Sequence, residues 1–263
     1  MPMKYLDNKE KKISKQFLKN GYIIGKIENI NALTYIKSTL DKNFKNYLNF
    51  KKQINLNYLH QNIEINKLND LRLSILRKIN NDKKFHFNYF SLAKKNIYNL
   101  AGNELMMQKN INLSIQLPND KSSLLPIHSD VWSGDSPFEI NLWIPLVNVY
   151  KTKSMYILQK KHYAFFLKKI KEQKHKTSDD IFRILKNKIK WLEIKYGEFL
   201  IFDQGLPHGN VVNKEKETRV SLNCRFKNFF SPFGDKKLGE FFIPITTRAM
   251  TEIGLKYEDP FKK

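Results

Sequence analysis

The sequence carries a single cysteine, Cys224, so no disulfide framework and no thiolate metal site can form within one chain. It lacks any apolar run near the roughly 18 residues that a membrane-spanning helix needs. Its start, Met1-Pro2-Met3-Lys4-Tyr5-Leu6-Asp7, has no apolar stretch of the kind a secretory signal requires. These absences point to a soluble, cytoplasmic protein. Acidic residues are also scarce: 25 against 47 basic ones, a net charge of +22. Such an excess raises nucleic-acid binding as a reading. The lysines, however, run through nearly every segment, with no arginine block, zinc-finger spacing or RNA-binding aromatic motif. A solvated lysine coat is the better account, and it would still attract an anionic small molecule.

What is present is enough apolar residue, 41% of 263, for one sizeable core. The spacing predicts a short helix ending near Gly21, then a buried strand at Tyr22-Ile23-Ile24. Apolar stripes at helical spacing predict helices over Asn31 to Tyr47, Ile63 to Ile79 and Phe85 to Leu100, the last closed by Gly102. The character changes near Asn110. Short strands are predicted over Ile111–Leu117, Leu124–Asp130, Phe138–Val147, Met155–Gln159, Trp191–Tyr196, Glu198–Asp203, His208–Val212 and Thr218–Phe226. About eight strands suit a jelly roll. Two basic helices, Tyr163–Gln173 and Ser178–Asn187, interrupt them, and the tail from Ser231 reads as packed irregular structure. The expected fold is therefore mainly β with flanking helices: a double-stranded β-helix (jelly roll) core packed against N-terminal helices. One domain spans 1–263, with a helical part at 1–109, the core at 110–230, an insertion at 160–188 and a tail at 231–263.

Within this frame, Leu124-Leu125-Pro126-Ile127-His128-Ser129-Asp130 follows an apolar run with an imidazole and a carboxylate across one spacer. On an extended backbone residues i and i+2 share a side, so His128 and Asp130 can converge on one ion. A third ligand must come from elsewhere, and His208, in Leu206-Pro207-His208-Gly209-Asn210, is the candidate. Two histidines and one carboxylate with open positions suit a non-heme Fe(II) centre. His60, His86 and His175 read as structural or exposed.

The last core strand alternates strictly, with Arg219, Ser221, Asn223 and Arg225 on one face and Val220, Leu222, Cys224 and Phe226 on the other. Two arginines in a row inside a small domain require anionic partners, because an unpaired buried charge is too unfavourable to keep. A guanidinium also matches a carboxylate bidentately. The alternative is that this face meets solvent.

Together, His128-x-Asp130, the distal His208 and Arg219-x-Ser221 resemble the 2-oxoglutarate- and Fe(II)-dependent oxygenase superfamily. Gly197-Glu198-Phe199-Leu200-Ile201-Phe202-Asp203 is similar to the approach to the distal histidine, and Gly21-Tyr22-Ile23-Ile24 and Asn112-Leu113-Ser114-Ile115-Gln116-Leu117 to strands of its phytanoyl-hydroxylase-like branch. Trp132-Ser133-Gly134-Asp135-Ser136-Pro137 and Trp143-Ile144-Pro145-Leu146, with Asn223-x-Arg225-Phe226, resemble a group associated with bacterial surface-carbohydrate genes. The segment Gln159-Lys160-Lys161-His162 departs from the Pro-Gly-Ser-His turn of many relatives, which sets His162 aside as a ligand. The resemblance implies a dioxygenase in which His128, Asp130 and His208 hold Fe(II), while Arg219, Ser221 and Asn141 serve the cosubstrate 2-oxoglutarate. Arg225, Asn223 and Trp132 are then substrate-side or supporting residues. The implied substrate is a small polar or anionic molecule, a sugar or nucleotide-sugar, and hydroxylation is the implied outcome. The rival readings are a non-redox jelly-roll metal protein, such as a sugar isomerase or binding module, and a basic nucleic-acid-binding protein.

Overall fold

The computed structural model describes residues 3–172 and 177–261. The chain opens with α1 (Asn8–Asn20), whose N-terminus is closed by a reciprocal capping box between Asp7 and Glu10 and whose C-terminus ends on left-handed Gly21. After β1 (Tyr22–Lys26) come α2 (Ile30–Leu48), α3 (Leu68–Asn80), α4 (Lys83–Ser91) and α5 (Lys94–Ala101). Leu33, Ile36, Leu40 and Phe44 of α2 and Leu68, Leu71, Ile75 and Ile79 of α3 form the buried stripes that the spacing predicted. One helix was expected over Phe85 to Leu100, but α4 and α5 are separate. The break falls at Ala93, whose φ of −144° is non-helical. The carboxylate of Glu28 supplies the missing cap, accepting from the backbone N–H groups of Lys95 (2.8 Å) and Asn96 (3.1 Å).

The β part comprises β2 (Leu105–Gln108), β3 (Asn112–Gln116), β4 (Glu139–Pro145), β5 (Tyr156–Leu158), then α6 (Tyr163–Lys171) and α7 (Ser178–Leu185), then β6 (Ile189–Trp191), β7 (Glu198–Asp203), β8 (His208–Gly209), β9 (Arg219–Asn228) and β10 (Phe242–Thr246), and finally α8 (Ala249–Leu255). A larger sheet runs β1-β7-β4-β9-β2-β10, with β3 also on β9, and a smaller sheet runs β6-β5-β8. All these pairings are antiparallel. The two sheets and their helical cover make the double-stranded β-helix, the fold expected from the strand pattern. One apolar cluster joins the helices to the larger sheet, from Ile36 and Phe44 through Tyr89 to Leu142, Ile201 and Phe226. The Tyr89 hydroxyl donates to the Leu142 carbonyl at 2.7 Å and ties the helical layer to the central strand β4.

Several expectations need correction. Leu124–Asp130 is not a regular strand: it meets β8 through a single bridge at His128, and Asp130 begins a short 3-10 turn. The tail from Ser231 is not wholly irregular, since it supplies β10 and α8. The strand placed at Trp191–Tyr196 lies instead at Ile189–Trp191, with one further bridge from Ile194 to Val149. β2 precedes the expected start of the strand region, and β2 and β3 lie along the same edge of the ten-residue β9, opposite Phe226–Asn228 and Arg219–Asn223 respectively. His60 is half-buried and holds the Thr218 hydroxyl at 2.9 Å, so it is structural rather than exposed. His175 lies outside the described residues.

Candidate metal centre

The two histidines meet because of backbone pairing. His128 and His208 exchange both N–H···O bonds, at 2.9 and 2.8 Å, as one hydrogen-bonded antiparallel pair. Residues so paired carry their side chains side by side on one face. The ring centroids lie 4.4 Å apart. Gly209 permits the approach: a Cβ there would come within 2.7 Å of the Tyr156 hydroxyl and 2.8 Å of the Leu125 carbonyl oxygen. Asn210 completes the clamp, its side-chain oxygen and backbone N–H bonding the Leu125 N–H (2.8 Å) and carbonyl (2.9 Å).

Asp130 reaches the same point from the next turn. Its backbone N–H donates to the Gln204 carbonyl at 3.1 Å, and the neighbouring Ser129 hydroxyl donates to the same oxygen. The Asp130 carboxylate is 3.6 Å from His128 Nε2 and 3.9 Å from His208 Nε2. Both separations are less than twice a metal–nitrogen or metal–oxygen bond of about 2.1 Å. One ligand atom from each of the three residues lies within 4.8 Å of the other two.

The chemistry of this donor set fits a first-row metal ion. Each imidazole donates through Nδ1 to a backbone carbonyl, His128 to Pro126 at 2.7 Å and His208 to Leu206 at 2.9 Å. That fixes the tautomer and turns the Nε2 lone pairs towards Asp130. Burial pushes the His208 pKa down to about 4, so the ring is neutral and able to ligate at neutral pH. Burial would raise the Asp130 carboxyl, but its interactions with the His208 ring, the Arg225 guanidinium and the His128 ring outweigh it and hold the group below its ordinary value. Asp130 Oδ2 is buried without a hydrogen-bond partner, a bare anionic donor 3.9 Å from His208 Nε2.

A cavity of about 650 Å³ opens from this point. Of the residues expected in the site, His128, Asp130, His208, Asn141, Arg219, Asn223 and Arg225 line it. Ser221 and Trp132 do not. The Ser221 hydroxyl is buried on the same face of β9, opposite Ser114 and without a partner. Trp132 is half-exposed and stacks on Phe166 of α6, 5.7 Å between centroids, so it couples the helical insertion to the turn carrying Asp130. Arg219 is 3% exposed. Among the described residues its polar contacts are long ones, to the Ser154 carbonyl (3.4 Å) and the Ser114 hydroxyl (3.3 Å), and its Nε has none. Burial brings its pKa down to about 10, which leaves it charged at neutral pH. A buried cation with no carboxylate among the described residues is left free to pair with an anion.

Arg225 is the opposite case. It ion-pairs with Asp130 (3.1 Å) and buried Asp135 (3.3 Å) and donates to Gln204 Oε1 (3.0 Å), while Asp135 also holds Lys236 at 2.5 Å. It therefore braces the Asp130 carboxylate while also lining the cavity. Asp135, Gln204 and Lys236 were not singled out from sequence, because nothing local marks residues that meet only after folding. Asn69 and Arg72 at the start of α3, which also line the cavity, escaped for the same reason.

The fold and the donor set together define a class: a double-stranded β-helix with an open two-histidine, one-carboxylate centre. Solved structures share the architecture. ThoJ, a non-heme monooxygenase in complex with nickel, superposes with a TM-score of 0.57 at 13% identity, over 90% of this chain and 84% of that one. SnoK, a non-heme alpha-ketoglutarate-dependent carbocyclase from nogalamycin biosynthesis, gives 0.51 at 13%, over 92% and 97%. HygX from Streptomyces hygroscopicus, with nickel and 2-oxoglutarate bound, gives 0.52 at 12%, over 89% and 90%. At these identities the likeness is one of fold. No family model and no curated protein matches the sequence.

Proposed function

We propose that this protein is an Fe(II)- and 2-oxoglutarate-dependent dioxygenase that hydroxylates a small polar molecule. One observation carries the reading: the open His128–Asp130–His208 cluster and the buried, carboxylate-free guanidinium of Arg219 line one cavity. A non-redox metal protein of the same fold has no use for that guanidinium, whereas 2-oxoglutarate carries a carboxylate at each end. Fe(II) with this cosubstrate supplies oxidative decarboxylation: one atom of dioxygen enters succinate as CO2 leaves, and the other enters a substrate C–H bond. His128, Asp130 and His208 would hold the metal, and Arg219 would bind the far carboxylate of 2-oxoglutarate. Asn141, buried on β4 with an unbonded side-chain oxygen, lines the same cavity and would serve the cosubstrate. The protein's own part is to orient both reactants and to exclude competing reactions. The motif likeness to the phytanoyl-hydroxylase-like branch and to the surface-carbohydrate group supports a sugar or nucleotide-sugar substrate. The lone buried cysteine accords with a cytoplasmic setting.

The test is 2-oxoglutarate decarboxylation by the Fe(II)-loaded protein. Succinate formation that is lost in His208→Ala and starved of cosubstrate in Arg219→Gln supports the assignment. Metal binding with no succinate formed, and no 2-oxoglutarate binding, would favour the non-redox alternative.

A further inference from the structure

The charges and unmet hydrogen-bond acceptors of the cavity specify more than a polar substrate. Three arginines line it, Arg72, Arg219 and Arg225, against one carboxylate, Asp130. Arg225 is shared between Asp130 and Asp135. Arg219, on the reading above, is taken by the cosubstrate. Arg72 is left. It extends from the first turns of α3, is half-buried, and has one hydrogen bond, 2.7 Å to the side-chain oxygen of Asn69, which also lines the cavity. It has no acidic partner among the described residues.

Two acceptors in the wall are also unmet. Asn141 Oδ1 and Asn223 Oδ1 are buried without a hydrogen-bond partner. They sit on adjacent strands, with Asn141 opposite Arg225 and Asn223 opposite both Asn112 and Trp143. An acceptor oxygen is satisfied by any O–H or N–H donor. Three arginines with a single carboxylate disfavour a cationic donor, so neutral donors such as hydroxyls are the match. Asn112, Ser114, Ser122 and Ser123 extend the same polar lining.

We infer that the substrate is a polyhydroxylated molecule bearing a phosphate or carboxylate group, with that anion seated on Arg72 beside Asn69 and hydroxyls facing Asn141 and Asn223. The inference rests on the oxygenase reading for the assignment of Arg219, but not for the roles of Arg72 and the asparagines. The overall charge of +22 favours capture of the same kind of molecule.

Calorimetric titration of the Ni(II)- and 2-oxoglutarate-loaded protein with glucose 6-phosphate, glucuronate, glucose and glucosamine tests it. The expected result is that at least one of the two anions binds about tenfold or more tighter than glucose, the scale of one charge-assisted contact, with glucosamine weakest. Which anion binds more tightly separates phosphate from carboxylate. In Arg72→Gln the preference should fall to near parity while 2-oxoglutarate affinity stays unchanged, which also shows that the variant is folded. The inference is overturned if glucose or glucosamine matches the anions, if the preference survives in Arg72→Gln, or if none of the four binds. Failure of the wild type to bind 2-oxoglutarate overturns the oxygenase reading instead, and the same four titrations on the Ni(II) protein alone still decide the role of Arg72.

Discussion

Arg225 Nη2 stands 3.1 Å from Asp130 Oδ1, while Asp130 Oδ2 is left buried and unbonded. The guanidinium thus occupies one oxygen of the ligand carboxylate and leaves the other for the metal. A carboxylate held in this way would offer a metal chiefly the oxygen that Arg225 leaves free. Arg225→Gln should weaken Ni(II) or Fe(II) binding by roughly 10- to 100-fold, the usual effect of removing a residue that orients a metal ligand. Arg225→Lys should recover part of the loss, because it keeps the charge but not the fork. Metal competition titrations measure both; affinity equal to wild type in Arg225→Gln would remove this role.

Arg219 is expected to separate cosubstrate binding from metal binding. Arg219→Gln should weaken 2-oxoglutarate binding by about a hundredfold, as expected for truncating one side of a buried charged contact, with metal affinity unaltered. Arg219→Met makes a second demand. Since the cation is buried without a carboxylate, replacing it with an apolar side chain should raise the melting temperature of the metal-free protein. A fall would mean that the weak contacts to Ser154 and Ser114 matter more than the burial of charge.

His208 carries a prediction in pH. Its folded-state pKa, about 4, lies below the ordinary imidazole value of 6.5. Between these values the unfolded chain binds more protons than the folded one, so stability rises with pH through that interval. The contribution is fully present above about pH 6.5 and lost as pH falls to about 4. Urea unfolding of the metal-free protein should show this decline, and His208→Gln should flatten it. Equal slopes in the two proteins would contradict the burial argument.

Gly209→Ala should damage the centre without touching a ligand. The added methyl would press on the Tyr156 hydroxyl and on the Leu125 carbonyl. Overpacking of this kind typically costs about 1–3 kcal/mol. Here it would also part the strands that hold His128 beside His208. Both melting temperature and Ni(II) affinity should drop, and a variant with wild-type metal affinity would show that the segment carrying His128 can shift without consequence.

The features legible in the sequence were those that local chemistry decides. Gly21 marked a helix end because only a left-handed residue closes that turn, and β9 declared itself by strict alternation from Arg219 to Phe226. The spacing of His128 and Asp130 pointed to a shared ligand even though its segment is not a regular strand, because Ser129 between them is extended. The features missed depend on partners far along the chain. The separation of α4 from α5 rests on the Glu28 carboxylate, and the pairing of Asp135 on Arg225 and Lys236. β10 was hidden by Pro244, which argues against a strand unless that strand lies at a sheet edge, as β10 does. The four-residue β2, with two methionines and no β-branched residue, gave too weak a strand signal to be noticed.

The run of alternating charges from Asp130 through Arg225 and Asp135 to Lys236 makes the C-terminal segment an electrostatic extension of the metal centre. Loss of the Lys236 ammonium alone would leave two buried carboxylates competing for one guanidinium. A change at that one distant side chain would therefore register as a poorly held ion while the sheets stayed intact.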